Sequence, residues 1–172
     1  MHIVITRPKE DSLHLIERLI KLGHSVTHLP VIKIEKLETE KINLLNYQAV
    51  VFTSSNAIRF MNIEKFDLKI KCFCVGGATE FTAKQAGFIN TYSSEGTVDS
   101  LIELIIRTLD TKSGKLLYLS SEFISKDLDG DLTRAGFSVD RISNYTSLPI
   151  EQIDISTLNF LKKNPPDVFF IY

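Results

Sequence analysis

The chain has 172 residues, 44% of them hydrophobic, and a formal net charge of −1, values ordinary for one or two small globular domains. A net charge this close to zero gives no overall attraction for nucleic acid or an anionic membrane, so we expect neither as a partner. No apolar run approaches the ~18 residues of a membrane-spanning helix and no signal peptide leads the chain, so we expect a cytoplasmic protein.

The cysteines and histidines exclude several kinds of catalytic site. Cys72 and Cys74 alternate in IKCFCVGG, which places them on one face of a strand and favours buried thiols in a reducing compartment. All four histidines lie before Val31, so the rest of the chain lacks the usual base at neutral pH. We therefore expect neither a Ser/His/Asp hydrolase nor a metal centre.

The first elements in the chain form a predicted βαβ unit. HIVIT is a short apolar strand, and Pro8, Glu10 and Asp11 after it suit the start of a helix. Leucine and isoleucine recur at helical spacing until Gly23, which is typical of the residue after a helix. SVTHLPVIKIEKL then returns as extended chain, which completes the unit.

The same alternation continues to the end of the chain. Strands are predicted in NYQAVVF, KIKCFCV, FINTYSS, KLLYLSS, FSVDRISNY and DVFFIY, with helices between them. Thr97 is the predicted N-cap of the most amphipathic helix. This order predicts an α/β protein with parallel sheets. A layout shared by the segments that start at IVITRP and LLYLSS is either generic α/β architecture or a sign of two related lobes.

Four polar loops follow predicted strand ends. In open α/β sheets ligands bind at the carboxyl ends of strands, where helix N-termini offer free N–H groups to anions. Each loop by itself is more typical of helix capping without a ligand. Together they are candidates for binding carboxylates or phosphates, and they comprise Thr6, Arg7 and Pro8; Thr53, Ser54, Ser55, Asn56 and Ala57; Gly76, Gly77, Ala78 and Thr79; and Ser120, Ser121 and Glu122.

Known nucleotide-binding motifs are absent from the sequence. There is no G-x-x-x-x-G-K-[ST] and no G-x-G-x-x-G, and Gly76-Gly77-Ala78 is not a dinucleotide fingerprint. We therefore predict no cofactor. An unrelated sugar- or nucleotide-binding protein stays open as a minor alternative.

Tyr145, in DRISNYTSLP, is a candidate catalytic residue. It is either a packing tyrosine with a satisfied hydroxyl or a phenol that faces a ligand. A neutral phenol, with a pKa of roughly 10, is a mild acid at pH 7 and can protonate a departing hydroxyl group.

Taken in order, several segments resemble the uroporphyrinogen-III synthase family: VITRP, LPVIKIEKLE, YQAVVFTSSNAI, CFCVGGATEFTAKQAGF, GTVDSLIELI, KLLYLSS and PDVFFIY. The resemblance covers essentially the whole chain, and FTSSNA and VGGAT are its most specific parts. It implies an enzyme of tetrapyrrole and heme biosynthesis that works without cofactor or metal. The reaction converts hydroxymethylbilane to uroporphyrinogen III, with loss of water and inversion of the D ring through a spiro intermediate.

The resemblance also assigns roles to residues. Tyr145 matches the family's conserved tyrosine, thought to assist departure of the hydroxyl group. Residues 53–57 and 76–79 match two substrate loops, and Thr79 stands at a functionally sensitive threonine. Ser120-Ser121 and Lys126 stand where the family often has Arg-Gly and Arg, which reduces fixed positive charge there. Thr6 and Arg7 are further candidates.

The substrate carries eight carboxylates, which suits loops rich in N–H and hydroxyl donors. The resemblance further implies a transient contact with hydroxymethylbilane synthase and a monomeric protein.

The family fold has two flavodoxin-like parallel-sheet lobes joined by a two-stranded linker. By that template residues 1–30 and 150–172 form an incomplete first lobe, 31–37 and 139–149 the linker, and 38–138 the second lobe. The resemblance therefore predicts a C-terminally truncated synthase with little or no activity when isolated. The alternative function is a non-catalytic, anion-binding α/β module derived from the family.

Overall fold

A computed structural model describes residues 1–65, 67 and 69–171. In this part of the chain the strands are β1 (His2–Ile5), β2 (Ser25–His28), β3 (Ile32–Lys36), β4 (Ile42–Asn43), β5 (Tyr47–Phe52), β6 (Ile63–Lys65), β7 (Lys71–Cys74), β8 (Asn90–Ser93), β9 (Lys115–Ser121), β10 (Val139–Pro149) and β11 (Val168–Phe170). The α-helices are α1 (Lys9–Lys21), α2 (Ser55–Arg59), α3 (Gly77–Gln85), α4 (Val98–Thr108), α5 (Leu128–Arg134) and α6 (Ile155–Lys163).

The chain divides into two compact units. One consists of Met1–Glu35 with Ser147–Tyr172, and the other of Lys36–Thr146. Both passages of the chain from one unit to the other run through β3 and β10. Among the described residues, no helix is both long and apolar enough to cross a membrane.

The unit that holds both chain ends is a three-stranded parallel sheet with strand order β11-β1-β2. Pro8 precedes α1, and Glu10 and Asp11 lie in its first turn, where acidic side chains favour the positive end of the helix dipole. Gly23 follows the helix with a φ of 83°, a left-handed conformation that favours glycine. These residues make the helix begin and end where the sequence predicts.

The other unit is built on a parallel sheet in which the strands are ordered β10-β9-β5-β7-β8. The chain order reverses between β5 and β9: β7 and β8 are added on one side of β5, and β9 and β10 on the other. In such a doubly wound sheet a crevice opens beyond the carboxyl ends of the two central strands. Here those ends lead into Thr53 and Ser121.

Both faces of this sheet carry apolar side chains. This is expected of parallel strands, because the connecting helices cover both faces of the sheet. Val51 and Phe73 pack with α4 and α5 on one face. Val50 and Cys72, their neighbours along the strands, point to the opposite face and are also fully buried. The resulting core holds the strand ends of this unit in fixed register.

The α/β fold class and the alternation of strands and helices are confirmed. The short pairing of β4 with β6 was not predicted, because two or three residues are too few for a periodic signal. In the last predicted strand, DVFFIY, the structure has β11 at Val168–Phe170, and Tyr172 lies outside the described residues. The lobe boundaries drawn from the resemblance stay a prediction.

Candidate functional site

A cavity of about 340 Å³ lies at the point where the strand order reverses, and all its lining residues belong to unit Lys36–Thr146. Its polar lining consists of Thr53, Tyr118, Ser121, Ser125, Lys126 and Tyr145. Five of these six carry hydroxyl groups, one carries an ammonium group, and no carboxylate lines the cavity among the described residues. Hydroxyls and ammonium are donors, so the lining suits an anionic ligand.

The Thr53–Ala57 loop reaches the cavity through Thr53. Ser54 is the N-cap of α2, and its side chain accepts a hydrogen bond from Asn56 N at 3.2 Å. The Asn56 side chain is buried and accepts a 2.7 Å bond from Arg59 Nη1. The polar side chains of Ser54 and Asn56 are thus engaged within the loop and α2. This is the helix-capping role that the sequence left open as the alternative to ligand binding.

The Gly76–Thr79 loop opens α3. Gly76 is the N-cap and has no side chain to accept from the first-turn N–H groups, while Gly77 and Ala78 are exposed. A Cβ on Gly76 would lie 3.4 Å from the Cα of Gly96, which lines the cavity, so two backbones approach closely here. Thr79 is buried at 6% exposure.

The two loops are joined by a hydrogen bond between neighbouring helices. The Thr82 hydroxyl of α3 donates to the Ser55 hydroxyl of α2 at 3.1 Å. This bond therefore links α2 to α3.

The turn after β9 is organised by an arginine that the sequence reading did not single out. Arg141 Nε donates to Ser120 Oγ at 2.9 Å, and Nη2 donates to the carbonyls of Ser121 and Glu122 at 3.0 Å each. Ser120 is fully buried and donates to the carbonyl of Ser121, so its hydroxyl is engaged within the protein. Ser121 is the residue of this pair that lines the cavity.

Lys126 lines the cavity and forms an ion pair with Asp99, in the first turn of α4. The lysine side chain is 35% exposed and the aspartate 72%. The ammonium group is thus within reach of both a protein carboxylate and a ligand.

Two phenols line the cavity. Tyr145 of β10 is 6% exposed and Tyr118 of β9 is 2% exposed. The Tyr118 hydroxyl lies 3.1 Å from Thr53 Oγ1. Burial raises the pKa of Tyr118, against the lowering effects of the bond to Thr53 and the charge of Arg141. The sequence reading missed Tyr118 because KLLYLSS has the composition of an ordinary core strand.

Thr6 and Arg7 belong to the other unit. The Thr6 hydroxyl donates to the carbonyl of Phe170 at 2.8 Å. The Arg7 carbonyl is 2.8 Å from His28 Nε2 and accepts a 3.2 Å bond from Ser12 Oγ. These contacts connect β1 to β11 and to the start of α1.

The two cysteines lie as their alternation predicts. Both are fully buried, with their sulfur atoms 3.8 Å apart. The hydrogen bond with Cys74 and burial raise the pKa of the Cys72 thiol far above its ordinary value. Among the described residues no group of three or more His, Cys, Asp or Glu side chains is arranged to hold a metal ion.

Comparison with known proteins places this arrangement in a family. The family model described as uroporphyrinogen-III synthase HemD matches residues 14–172. The chain is 27% identical over 159 residues to the porphyrin biosynthesis protein HemD of Ruminiclostridium josui. The match covers 84% of this chain but only 32% of that protein, so the chain spans about a third of its length.

Several solved structures share the fold, among them structures from two organisms. The uroporphyrinogen-III synthetase of Helicobacter pylori gives a TM-score of 0.61 at 18% identity, covering 98% of this chain and 72% of that one. A mutant uroporphyrinogen III synthase from the extremely thermophilic bacterium Thermus thermophilus gives 0.57 at 16% identity, covering 98% and 71%. At these identities the likeness shows the fold alone. With the family model matching nearly the whole chain, the protein belongs to the uroporphyrinogen-III synthase HemD family.

Proposed function

We propose that this protein cyclises hydroxymethylbilane to uroporphyrinogen III at the cavity beside Thr53, Ser121 and Tyr145. The observation that carries the proposal is the lining of five hydroxyl groups and one ammonium group without a carboxylate among the described residues. A substrate with eight carboxylates needs many donors. The reaction itself needs the two reacting rings to be held in one orientation more than it needs a strong base.

The cavity fits part of this substrate. Its volume of about 340 Å³ is at the lower end of the range for small-molecule sites, roughly 300–1,000 Å³. We therefore infer that one end of the tetrapyrrole enters it. Phe123 lines the cavity and is 72% exposed, so its ring is available to pack against a pyrrole.

Tyr145 is the proposed acid. Its phenol gives a proton to the hydroxyl group of the bilane while the carbon–oxygen bond breaks, so that water leaves and the electron pair of the bond goes with the oxygen. The D ring then attacks through its substituted carbon to give the spiro intermediate. The original bond from that carbon to the methylene of the C ring breaks, and this methylene then bonds to the unsubstituted carbon of the D ring, which inverts the ring. The proton that the pyrrole carbon loses when the macrocycle closes returns to the phenolate, which restores Tyr145.

The N–H groups at the start of α3 and the hydroxyls of Thr53 and Ser121 are the proposed carboxylate donors. Groups at a helix N-terminus bind anions through free N–H groups and the positive end of the helix dipole. Fixing the substituent carboxylates on these donors would set which face of the D ring meets the reactive carbon.

The test is the isomer composition of the product. Hydroxymethylbilane is generated by its synthase, the 172-residue chain is added, and the products are oxidised and separated as uroporphyrins I and III. The chain is added at a concentration comparable to the bilane, so that a single turnover per molecule is enough to be detected. Isomer III above the level without the chain is the expected result.

Tyr145→Phe tests the acid directly. Loss of general acid catalysis is expected to slow formation of isomer III by about a hundredfold or more, because such catalysis typically contributes 10²–10⁴-fold. Tyr92→Phe is the matched control, since Tyr92 stacks on Phe73 in the core and is not part of the cavity lining. A Tyr145→Phe variant with unchanged rate would remove the phenol from the mechanism.

Isomer I alone, from a chain shown to be folded, would overturn the proposed activity. The chain would then be the non-catalytic anion-binding module, which a fluorescence titration with uroporphyrin III would detect. We also propose a transient contact with hydroxymethylbilane synthase, a monomeric state and a cytoplasmic location, all from the resemblance.

A further inference from the structure

The Thr53–Ala57 loop is held at both ends by side chains from other strands. At its start, the Tyr118 hydroxyl of β9 lies 3.1 Å from Thr53 Oγ1. At its end, Asn144 Nδ2 of β10 donates to the carbonyl of Ala57 at 2.7 Å. Tyr118 and Asn144 come from strands more than sixty residues further along the chain.

The bond from Asn144 completes the end of a very short helix. α2 has five residues, so its last carbonyl groups find few N–H partners within the helix. Asn144 is fully buried, and its amide supplies the donor that the Ala57 carbonyl needs. The Oδ1 atom of the same amide is buried without a partner among the described residues.

Asn144 also directly precedes Tyr145, at a shift in the pairing of β10 with β9. The register of β10 against β9 shifts between Ser143 and Tyr145, which face Ser120 and Ser121. Asn144 is thus the extra residue of a β-bulge, a feature that re-aims the side chain beside it. Its carbonyl accepts a 3.0 Å bond from Leu37 N, which fixes the bulge from the other side. One residue therefore connects the loop to the proposed acid.

The proposed role of Thr53 requires one direction of its hydrogen bond with Tyr118, in which either hydroxyl can donate. A threonine hydroxyl has one proton, and a carboxylate can only accept. For Thr53 to donate to a substrate carboxylate, the phenol of Tyr118 must donate to Thr53 Oγ1. The 3.1 Å separation allows this bond, and the burial of Tyr118 keeps water from competing for it.

We propose that Tyr118 and Asn144 are positioning residues that hold the Thr53–Ala57 loop against Tyr145, and that the share of isomer III in the product depends on them. The proposal rests on the proposed function for its effect on the product. The anchoring of the loop does not depend on the proposed function, because hydrogen–deuterium exchange measures it separately.

The experiment compares Tyr118→Phe, which keeps nearly the original side-chain volume, and Asn144→Leu, which keeps the branched shape in a larger side chain, with two matched controls. Tyr92→Phe removes a phenol hydroxyl away from the cavity. Asn62→Leu removes a similar bond, 2.8 Å from Nδ2 to the carbonyl of Thr39. For each folded variant the ratio of isomer III to isomer I is measured, together with hydrogen–deuterium exchange of the peptide that covers residues 53–60.

Each positioning variant is expected to lower the III-to-I ratio by about fivefold, the factor that corresponds to one ordinary hydrogen bond. Exchange in residues 53–60 should become faster, and the controls should change neither quantity. A variant that only folds less completely would give a lower total yield of isomer III. It would not show faster exchange confined to residues 53–60. Asn144→Ala provides a second variant if Asn144→Leu does not fold.

The outcomes separate the two proposals. If the wild-type chain forms isomer III and the positioning variants keep both its isomer ratio and its exchange pattern, the positioning proposal is wrong and the proposed function stands. If the wild-type chain forms isomer I alone, the proposed function and the effect on the product both fail. The anchoring of the loop is then decided by exchange alone, and unchanged exchange overturns it.

Discussion

Asp99→Asn is expected to strengthen the binding of carboxylates in the cavity, although it removes an ion pair. Lys126 is paired with Asp99, so a ligand carboxylate must replace Asp99 before it can use the ammonium group. The two side chains are 35% and 72% exposed, and ion pairs this exposed contribute about 0.2–1 kcal/mol. With tenfold in affinity per about 1.4 kcal/mol, removing the competitor should tighten binding by at most about fivefold.

The same substitution should slightly destabilise the protein. Asp99 lies in the first turn of α4, where a negative charge interacts with the helix dipole by about 0.3–1 kcal/mol. Tighter ligand binding together with a lower free energy of unfolding is a combination that general damage to the fold does not produce. Lys126→Gln should instead weaken binding, because it removes the ammonium group itself.

The assay is a fluorescence titration of uroporphyrin III with each variant, repeated at high salt, where the gain from Asp99→Asn should shrink because exposed charges are screened. Asp131→Asn is the control, since Asp131 is paired with Arg134 on α5. Unchanged or weaker binding by Asp99→Asn would refute the competition between Asp99 and the ligand. A gain of similar size in Asp131→Asn would show that net charge alone is responsible.

Two further predictions concern stability. Thr97→Ala should lower the free energy of unfolding in urea by about 1 kcal/mol, because it removes the capping box in which Thr97 and Ser100 satisfy each other's backbone N–H groups at the start of α4; Thr97→Ser should restore most of it. Burial, with help from Asp140, raises the pKa of Tyr47 above its ordinary value of 10.0. The unfolded chain therefore ionises first, and the contribution to stability is complete below about pH 10 and is lost as the pH rises through the folded pKa. Tyr47→Phe should lose less stability than the wild type between about pH 9 and pH 11 in urea unfolding.

Each of these has a result that would contradict it. A Thr97→Ala variant as stable as the wild type would mean that water caps α4 equally well. An equal alkaline loss in wild type and Tyr47→Phe would mean that Tyr47 ionises alike in the folded and unfolded states.

The sequence predicted the local features of the site because these depend on near neighbours. Ser54 before α2 and Gly76 before α3 are recognisable as helix starts that follow buried strands. The alternation of Cys72 and Cys74 predicted their shared face. Strand and helix periodicity follows from backbone geometry, so each segment carries its own evidence.

Contacts between distant segments were not predictable in this way. Nothing in KLLYLSS distinguishes Tyr118 from a core tyrosine until β5 lies beside β9 and brings Thr53 to its hydroxyl. Asn144 has a role only because β10 folds back to α2, 87 residues away in sequence. The ion pair of Lys126 with Asp99 likewise depends on the packing of the turn before α5 against α4.

The amino-acid sequence by itself determined the α/β class, the order of the elements and the strand-end loops, because hydrophobic periodicity, caps and glycines act over a few residues. Only the tertiary structure decided which of those loops meet at one cavity, which hydroxyls are engaged within the protein and which line the cavity. That choice depends on the strand order β10-β9-β5-β7-β8, which is set by long-range packing that no single segment encodes.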